Sequence, residues 1–494
     1  MATLGGDVGT TVEPAELLRR SNRQLLEHGI RGGGHGELSP SPIAPGTAAN
    51  AVPVANATIP LHAHSGTHHA QLYIGSPPQR QTLIVDTGSR AMAFPCATCT
   101  DCNDCCGTHA SPYFDPSRST THIVSSCGSC LLEGISSCPL FVGGGSGGGR
   151  CTFSQKYTEG SAWTATEVED MVWLGSSDVV ESIETYLPAL AVAYPFGCQT
   201  SSTGLFRKQY ADGILGLSNH ETSLVNAFYR EGLIASNAFS LCFTREGGVL
   251  SLGGSLDPEA YHLDGNGGMK TTPLTKQHEH GYYSAEAIRL VVGGENHDDN
   301  GSDSGNHQRA IVVTDATTRP KLLRDMNSGK GCILDSGTTD SYFPSTLSRA
   351  VRVAVIDYAR AAAADAGVNH TEDRDLDFFS HRLRENAYTY REFETLLPTI
   401  TVVFANEVNL TIRPEHYMEH VPFDASTGAV VPWEGVRGLT NRLYFDEADG
   451  SVLGANAFFG YDILFDGGTP DGEGRIGIAP ADCHAAAPPA AAET

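Results

Sequence analysis

Two aspartates stand out by what surrounds them. Leu83-Ile84-Val85-Asp86-Thr87-Gly88-Ser89 recurs, imperfectly, as Cys332-Ile333-Leu334-Asp335-Ser336-Gly337-Thr338-Thr339. In each copy an apolar triplet buries a strand, and the Thr or Ser beside the Asp can hydrogen-bond. The Gly then lets the backbone turn sharply and present its N–H groups. Such a loop holds a carboxylate rigidly. Two carboxylates brought close cannot both ionise easily, so they share a proton across mildly acidic pH, and the titration belongs to the pair. The ionised member can take a proton from a bound water, and the protonated member can donate to a carbonyl oxygen. This chemistry needs no metal and no covalent intermediate, and neither a metal nor a cofactor is expected. One Asp-Thr/Ser-Gly alone reads as an ordinary turn.

The elements around the pair make the stronger case. Each copy has a downstream partner: Asp212-Gly213-Ile214-Leu215-Gly216-Leu217 for the first and Ser451-Val452-Leu453-Gly454 for the second. The repeat is far longer than a solenoid unit. It implies two related lobes, each supplying one Asp at a strand end. Period-two patterning starts near Ala70, with strands at Gln71-Leu72-Tyr73-Ile74 and Thr82-Leu83-Ile84-Val85 around a Gly75-Ser76-Pro77-Pro78 turn. The last strands are Ile463-Leu464-Phe465 and Ile476-Gly477-Ile478. One segment reads clearly as a helix, Ser345 to Ala366, with Leu347, Val351, Val355 and Tyr358 at helical spacing. The expected division is an N-terminal extension or propeptide remnant over 1–64, a first lobe over 65–255, a second lobe over 256–484 and a disordered tail over 485–494. Leu17 to Leu26 would be a short basic helix. Phe141 to Arg150 reads as a flexible glycine loop, and Gly294 to His307 as a disordered acidic insert.

Composition agrees with this reading. The chain has 494 residues, 55 of them Gly, and a formal charge of −25. Nucleic acid and anionic membranes are bound mainly through Lys and Arg, so neither is an expected partner. No apolar run reaches membrane-spanning length. Gly-rich turns with modest charge suit an all-β protein.

The two Asp motifs, Tyr73-Ile74-Gly75-Ser76-Pro77-Pro78-Gln79, Phe239-Ser240-Leu241-Cys242 and Ile476-Gly477-Ile478-Ala479 together resemble the pepsin-like aspartic proteases over about residues 68–483. The resemblance implies a bilobal all-β fold with a cleft between its lobes, and endopeptidase activity in which Asp86 and Asp335 activate water. Ser89 and Thr338 would orient the carboxylates, with Gly88 and Gly337 in the turns. Thr87 and Ser336 would tie the two loops together. The family closes a β-hairpin flap over its substrate. Here the flap match is Tyr157, Glu159, Gly160 and Ser161. Many members carry a Trp seven residues after the first Asp. That position is Ala93 in this chain, and Trp163 is the candidate replacement. The Phe94-Pro95-Cys96 sequence, the cysteine cluster and the flap Glu are similar to the plasmepsin V and nepenthesin-type branch. Glu159 would then offer a bidentate partner to a substrate Arg. An acidic protein with such a flap favours basic peptides.

Of 13 cysteines, ten fall between Cys96 and Cys198. The clustering predicts an oxidising compartment and a place in the secretory pathway, either the endoplasmic reticulum or outside the cell, although no signal-peptide pattern opens the chain. Four Asn-X-Ser/Thr tripeptides fit a glycoprotein. Cys96, Cys99, Cys102, Cys105 and Cys106 have spacings that could also suit zinc or an iron–sulfur cluster. Resemblance to the nepenthesin-type insert implies disulfides instead, with Cys127, Cys130, Cys138, Cys151 and Cys198 completing the set. In the second lobe Cys242 and Cys483 are expected to pair, which leaves Cys332 as a buried free thiol. A monomer acting on peptide or protein substrates is the leading reading. A non-catalytic peptide-binding or inhibitor-type module on the same fold is the alternative.

Overall fold

The computed structural model describes residues 2–3, 57–64, 66–99, 107, 109–138, 149–157, 160–174, 191–263, 268–275, 281–294, 310–367, 383–384, 396–423, 436–468 and 473–486. The expectations for Leu17–Leu26, most of the glycine loop, the acidic insert and the C-terminal tail lie outside them. The chain divides into two compact units. The first holds 1–240, 246–255 and 487–494, and the second holds 241–245 and 256–486. The fold is mostly β, of the pepsin-like class.

In the first unit, β1 (Ala57–His64) and β2 (Thr67–Ile74) form an antiparallel pair. β2 continues antiparallel to β3 (Gln79–Asp86). From Gln81 to Asp86, β3 is buried at every position, as a strand covered on both faces requires. After the Asp turn the chain returns as β4 (Ala93–Pro95). A hairpin of β5 (Thr152–Tyr157) and β6 (Ala162–Leu174) follows, and β6 pairs along most of its length with β7 (Ala191–Thr203). Then β8 (Gly213–Gly216) enters parallel to β3, with Gly216 opposite Asp86. Ile214 of β8 also faces Ala93 of β4, antiparallel. Phe94, Phe114 and Phe196 pack together in the core beside this junction.

The second unit repeats that junction. There β9 (Ser284–Ala285) flanks β10 (Cys332–Leu334), which leads into Asp335. β11 (Ser341–Pro344) plays the part of β4. β12 (Ser451–Leu453) runs parallel to β10, and its Val452 faces Tyr342 of β11, antiparallel. Tyr342 is seven residues beyond Asp335, as Ala93 is seven beyond Asp86. The internal repeat seen in the sequence is therefore a repeat of strand topology as well.

The helix α1 (Ser348–Ala366) packs Val351, Ala354, Val355, Tyr358, Ala359 and Ala363 inward, a 3–4 spacing that makes one apolar stripe. It ends at Gly367, whose φ of 67° places the cap in the left-handed region that glycine reaches without steric cost. Leu347 lies just outside, in a short 3-10 turn over Ser345–Leu347.

Candidate active site

Asp86 ends β3 and is 5% exposed. The Gly88 N–H donates to its Oδ1 at 2.8 Å, and its own carbonyl accepts the Leu217 N–H at 2.8 Å. The turn therefore rests on β8. The fit is close: a Cβ at Gly216 would lie 2.6 Å from Ala91 N and 2.8 Å from Ser89 O. Only glycine admits the Asp loop there. Thr87 and Ser89 are buried in the same turn. Ser89 Oγ forms no hydrogen bond among the described residues. At the start of β8, Asp212 accepts the Thr82 and Ser111 N–H groups at 2.5 and 2.8 Å. Burial raises its pKa, and those hydrogen bonds partly oppose the shift.

Asp335 is built in the same way in its own unit and is 3% exposed. The Gly337 N–H reaches Oδ1 at 3.1 Å, and Thr338 Oγ1 donates to Oδ2 at 2.8 Å. The Asp335 N–H donates to Leu453 O at 2.9 Å. Gly454 mirrors Gly216: a Cβ there would meet Asp340 O at 2.1 Å and Thr338 O at 2.6 Å. Ser336 is buried beside the Asp. Lys330 pairs with Glu447 at 2.7 Å. Burial lowers the Lys330 pKa, and Glu447, Asp335 and Asp449 oppose that shift.

Tyr157 and Ser161 flank the tip of the β5–β6 hairpin; Glu159, between them, lies outside the described residues. Tyr157 donates its N–H to Ser161 O at 2.8 Å, and Gly160, with φ of 96°, donates to Tyr157 O at 3.0 Å. The Tyr157 ring packs 5.0 Å from Phe206. Trp163 Nε1 donates to Tyr157 Oη at 3.4 Å, and the indole is buried against the Phe153 ring. Trp163, the candidate replacement for the Trp absent at Ala93, therefore bonds the hairpin tyrosine. Ser161, by contrast, is 2% exposed, and its Oγ accepts the Leu205 N–H at 2.9 Å. Its hydroxyl ties the hairpin to the 3-10 turn Gly204–Arg207.

The sequence reading missed Glu167. It lies on β6, fully buried, with both carboxylate oxygens engaged by the 127–138 segment. Its signal was its phase: Trp163, Ala165 and Glu167 alternate onto one buried face of the strand.

Four disulfides form among the described residues: Cys96–Cys198, Cys127–Cys138, Cys130–Cys151 and Cys242–Cys483. Cys99 forms none with a described residue. Its Sγ points at Thr200 O at 3.3 Å, in a part-buried position. Cys102, Cys105 and Cys106 lie outside the described residues. The sulfurs of Cys130, Cys138 and Cys151 lie within 4.8 Å of one another, close enough to ligate one ion. Each is instead taken up in an S–S bond, which removes the thiolate a soft metal would bind. Cys332 forms no disulfide among the described residues, and burial pushes its thiol up to about 12. That makes it unreactive rather than nucleophilic.

A mostly β chain with two matching Asp-Thr/Ser-Gly strand ends defines a class, and comparison with known families agrees. The chain carries a pepsin-like aspartyl protease domain. A family model described as "Eukaryotic aspartyl protease" matches residues 187–421, and one described as "Xylanase inhibitor N-terminal" matches residues 68–254. Among curated relatives, Aspartic protease 5 of Toxoplasma gondii is 29% identical over 83% of this chain and 36% of its own length. Plasmepsin V of Plasmodium falciparum is 31% identical over 37% of this chain and 28% of its own. Aspartic proteinase 39 of Arabidopsis thaliana is 23% identical over 79% of this chain and 74% of its own. The matches to the first two thus span well under half of those relatives. No helix among the described residues is long and apolar enough to cross a membrane.

Proposed function

We propose that this chain is an aspartic endopeptidase that hydrolyses peptide bonds through a water activated between Asp86 and Asp335. The observation that carries the reading is the matched pair of loops. In each unit a buried Asp follows an apolar strand, accepts the N–H of the Gly two residues on, and rests on a parallel strand with a Gly at or just past its end. Building the same loop twice is costly in burial and close packing, and one structural turn does not require it. The ionised carboxylate takes a proton from water as the oxygen attacks the carbonyl carbon, and the protonated partner donates to the carbonyl oxygen. Collapse of the tetrahedral intermediate passes a proton to the leaving amine. Thr338, which donates to Asp335, orients that carboxylate, Ser89 is its counterpart beside Asp86, and Thr87 and Ser336 tie the loops together. Tyr157 and the hairpin tip close over the peptide and exclude water. Glu159 pairs with an Arg near the scissile bond. The substrates are peptides or unfolded protein segments met in the secretory pathway, a setting that the disulfides favour.

The test is cleavage of a peptide library mapped by mass spectrometry across pH. Asp86→Asn and Asp335→Asn are each expected to abolish cleavage, as is a statine-type transition-state analogue. Activity that survives either substitution would defeat the mechanism. Peptide binding without cleavage by the unaltered protein would favour the inhibitor-type alternative. Glu159→Ala is expected to remove any preference for Arg, and unchanged site choice would remove that role.

A further inference from the structure

Glu167 is fully buried on β6, and its carboxylate accepts three hydrogen bonds from one turn. Its Oε1 accepts the Leu131 N–H at 2.6 Å, and its Oε2 accepts the Leu132 N–H at 3.0 Å and the Ser136 hydroxyl at 2.5 Å. Its backbone holds the chain on either side of that segment: the Ser125 N–H donates to Glu167 O at 3.2 Å, and the Glu167 N–H donates to Cys151 O at 2.8 Å. Successive backbone N–H groups turned toward one carboxylate make an anion nest. A carboxylate suits it because it accepts on both oxygens and presents no hydrogen. A glutamine amide of the same shape would aim N–H at another donor.

The turn held in this way is cross-linked twice. Cys127–Cys138 spans the segment, and Cys130–Cys151 ties it to the start of β5, with Cys130 Sγ and Cys138 Sγ 3.8 Å apart. It delivers Leu132, fully buried, into an apolar cluster with Phe153, Trp163, Phe206 and Ile84. Ile135 and Tyr157 pack against that same cluster. Ile84 lies two residues before Asp86. The stapled turn therefore backs the residues that hold the flap tyrosine.

We infer that Glu167 is a positioning residue for catalysis: it docks the stapled 127–138 turn behind the β5–β6 hairpin, and this docking sets where Tyr157 stands over the substrate. The inference rests on the proposed role of the hairpin as a flap. Disulfides limit how far the turn can wander, and backbone pairs hold its ends at Ser125 and Ser137, but among the described residues the Glu167 carboxylate is what holds its middle, Leu131 to Ser136, on β6. Release of that seat leaves the cross-links intact and withdraws Leu132 and Ile135 from behind Trp163 and Tyr157.

The test compares the unaltered protein with Glu167→Gln by hydrogen exchange read with mass spectrometry, and by steady-state kinetics on a cleaved peptide. Exchange at Leu131 and Leu132 is expected to rise, and exchange across residues 152–166 to rise with it by about tenfold, the size expected for one lost set of charge-assisted hydrogen bonds. KM is expected to rise by about tenfold with a smaller change in kcat, because the flap orders the peptide before the chemical step. Ser136→Ala keeps the charge and removes one donor. It should show the same pattern at smaller size, and it carries the test if Glu167→Gln does not fold. Hairpin exchange that stays fixed while Leu131 and Leu132 loosen overturns the inference, as does an unchanged KM in a loosened hairpin. The exchange result does not depend on catalysis, so an unaltered protein that cleaves nothing counts against the proposed function, and the coupling is still decided.

Discussion

Thr338 Oγ1 donates to Asp335 Oδ2 at 2.8 Å, whereas the Ser89 hydroxyl, at the matching place beside Asp86, is buried without a hydrogen bond among the described residues. A hydrogen bond to a charged oxygen is worth more than a neutral one, about 1.5–3 kcal/mol. The two hydroxyls should therefore differ in effect. Thr338→Ala is expected to lower kcat by roughly 10- to 100-fold, and Ser89→Ala by clearly less. Equal losses in the two variants, measured by initial rates at saturating peptide, would contradict that asymmetry. Residue types and spacing located both aspartates without difficulty, because an apolar triplet followed by Asp-Thr/Ser-Gly is a local pattern. Ser161 shows the limit of such patterns. Its place in the flap match does not announce that its hydroxyl is held by Leu205, more than forty residues away in sequence.

Strand pairing explains why the same motif needs distant glycines. Each Asp turn folds back over the end of a parallel strand, and the strand must end in a residue without a side chain. At Gly454 an added Cβ would sit 2.1 Å from Asp340 O, a clash with backbone that no side-chain rotation relieves. Gly454→Ala is expected to destabilise its unit by more than about 2 kcal/mol. Gly216→Ala, whose nearest contact is 2.6 Å, should do the same in the first unit. Urea unfolding monitored by tryptophan fluorescence and far-UV circular dichroism would read both, and a midpoint unmoved by either substitution would count against the packing described. This much was legible in sequence, because apolar-Leu-Gly recurred downstream of each Asp. The seat of the 127–138 turn was not. The phase of Glu167 on its strand marks it as buried, but its donors, two backbone N–H groups and the Ser136 hydroxyl, lie more than thirty residues away where no sequence pattern announces them. The hairpin falls between these cases. Ala93 where a Trp was expected was visible at once, but the contact from Trp163 to Tyr157 depends on the two strands folding as a hairpin with both rings turned to one side.

Across the whole molecule, acid should weaken the fold well before carboxylates titrate, and the cause lies in three histidines. Burial lowers His69 from 6.5 to about 3, with His62, His68 and His64 adding repulsion. Burial, followed by repulsion from Arg413 and Arg245, lowers His416 to about 3. Burial and Arg90 lower His220 to about 4. Each is neutral in the folded chain and takes up a proton on unfolding below about pH 6.5. Their contribution to stability is therefore complete above that pH and is lost as pH falls toward 4 and then 3. The loss is at most about 1.4 kcal/mol per histidine per pH unit. The shares of His220 and His416 are smaller, because their side chains keep some contact with water. The formal charge of −25 works in the opposite direction, since protonating carboxylates relieves self-repulsion. Carboxylates of ordinary pKa give that relief only near about 4; Asp212 and Asp340, raised by burial, give a smaller part of it earlier, and the three histidines are expected to outweigh them between pH 6.5 and 5. His69 and His220 belong to the first unit and His416 to the second, so each unit carries part of the effect. Differential scanning calorimetry is expected to show the melting midpoint falling by roughly 5–10 °C between pH 7.5 and 5.5. His69→Gln, which cannot titrate, should flatten part of that slope. A midpoint that stays level or rises over this range would show that the imidazoles gain no protons on unfolding.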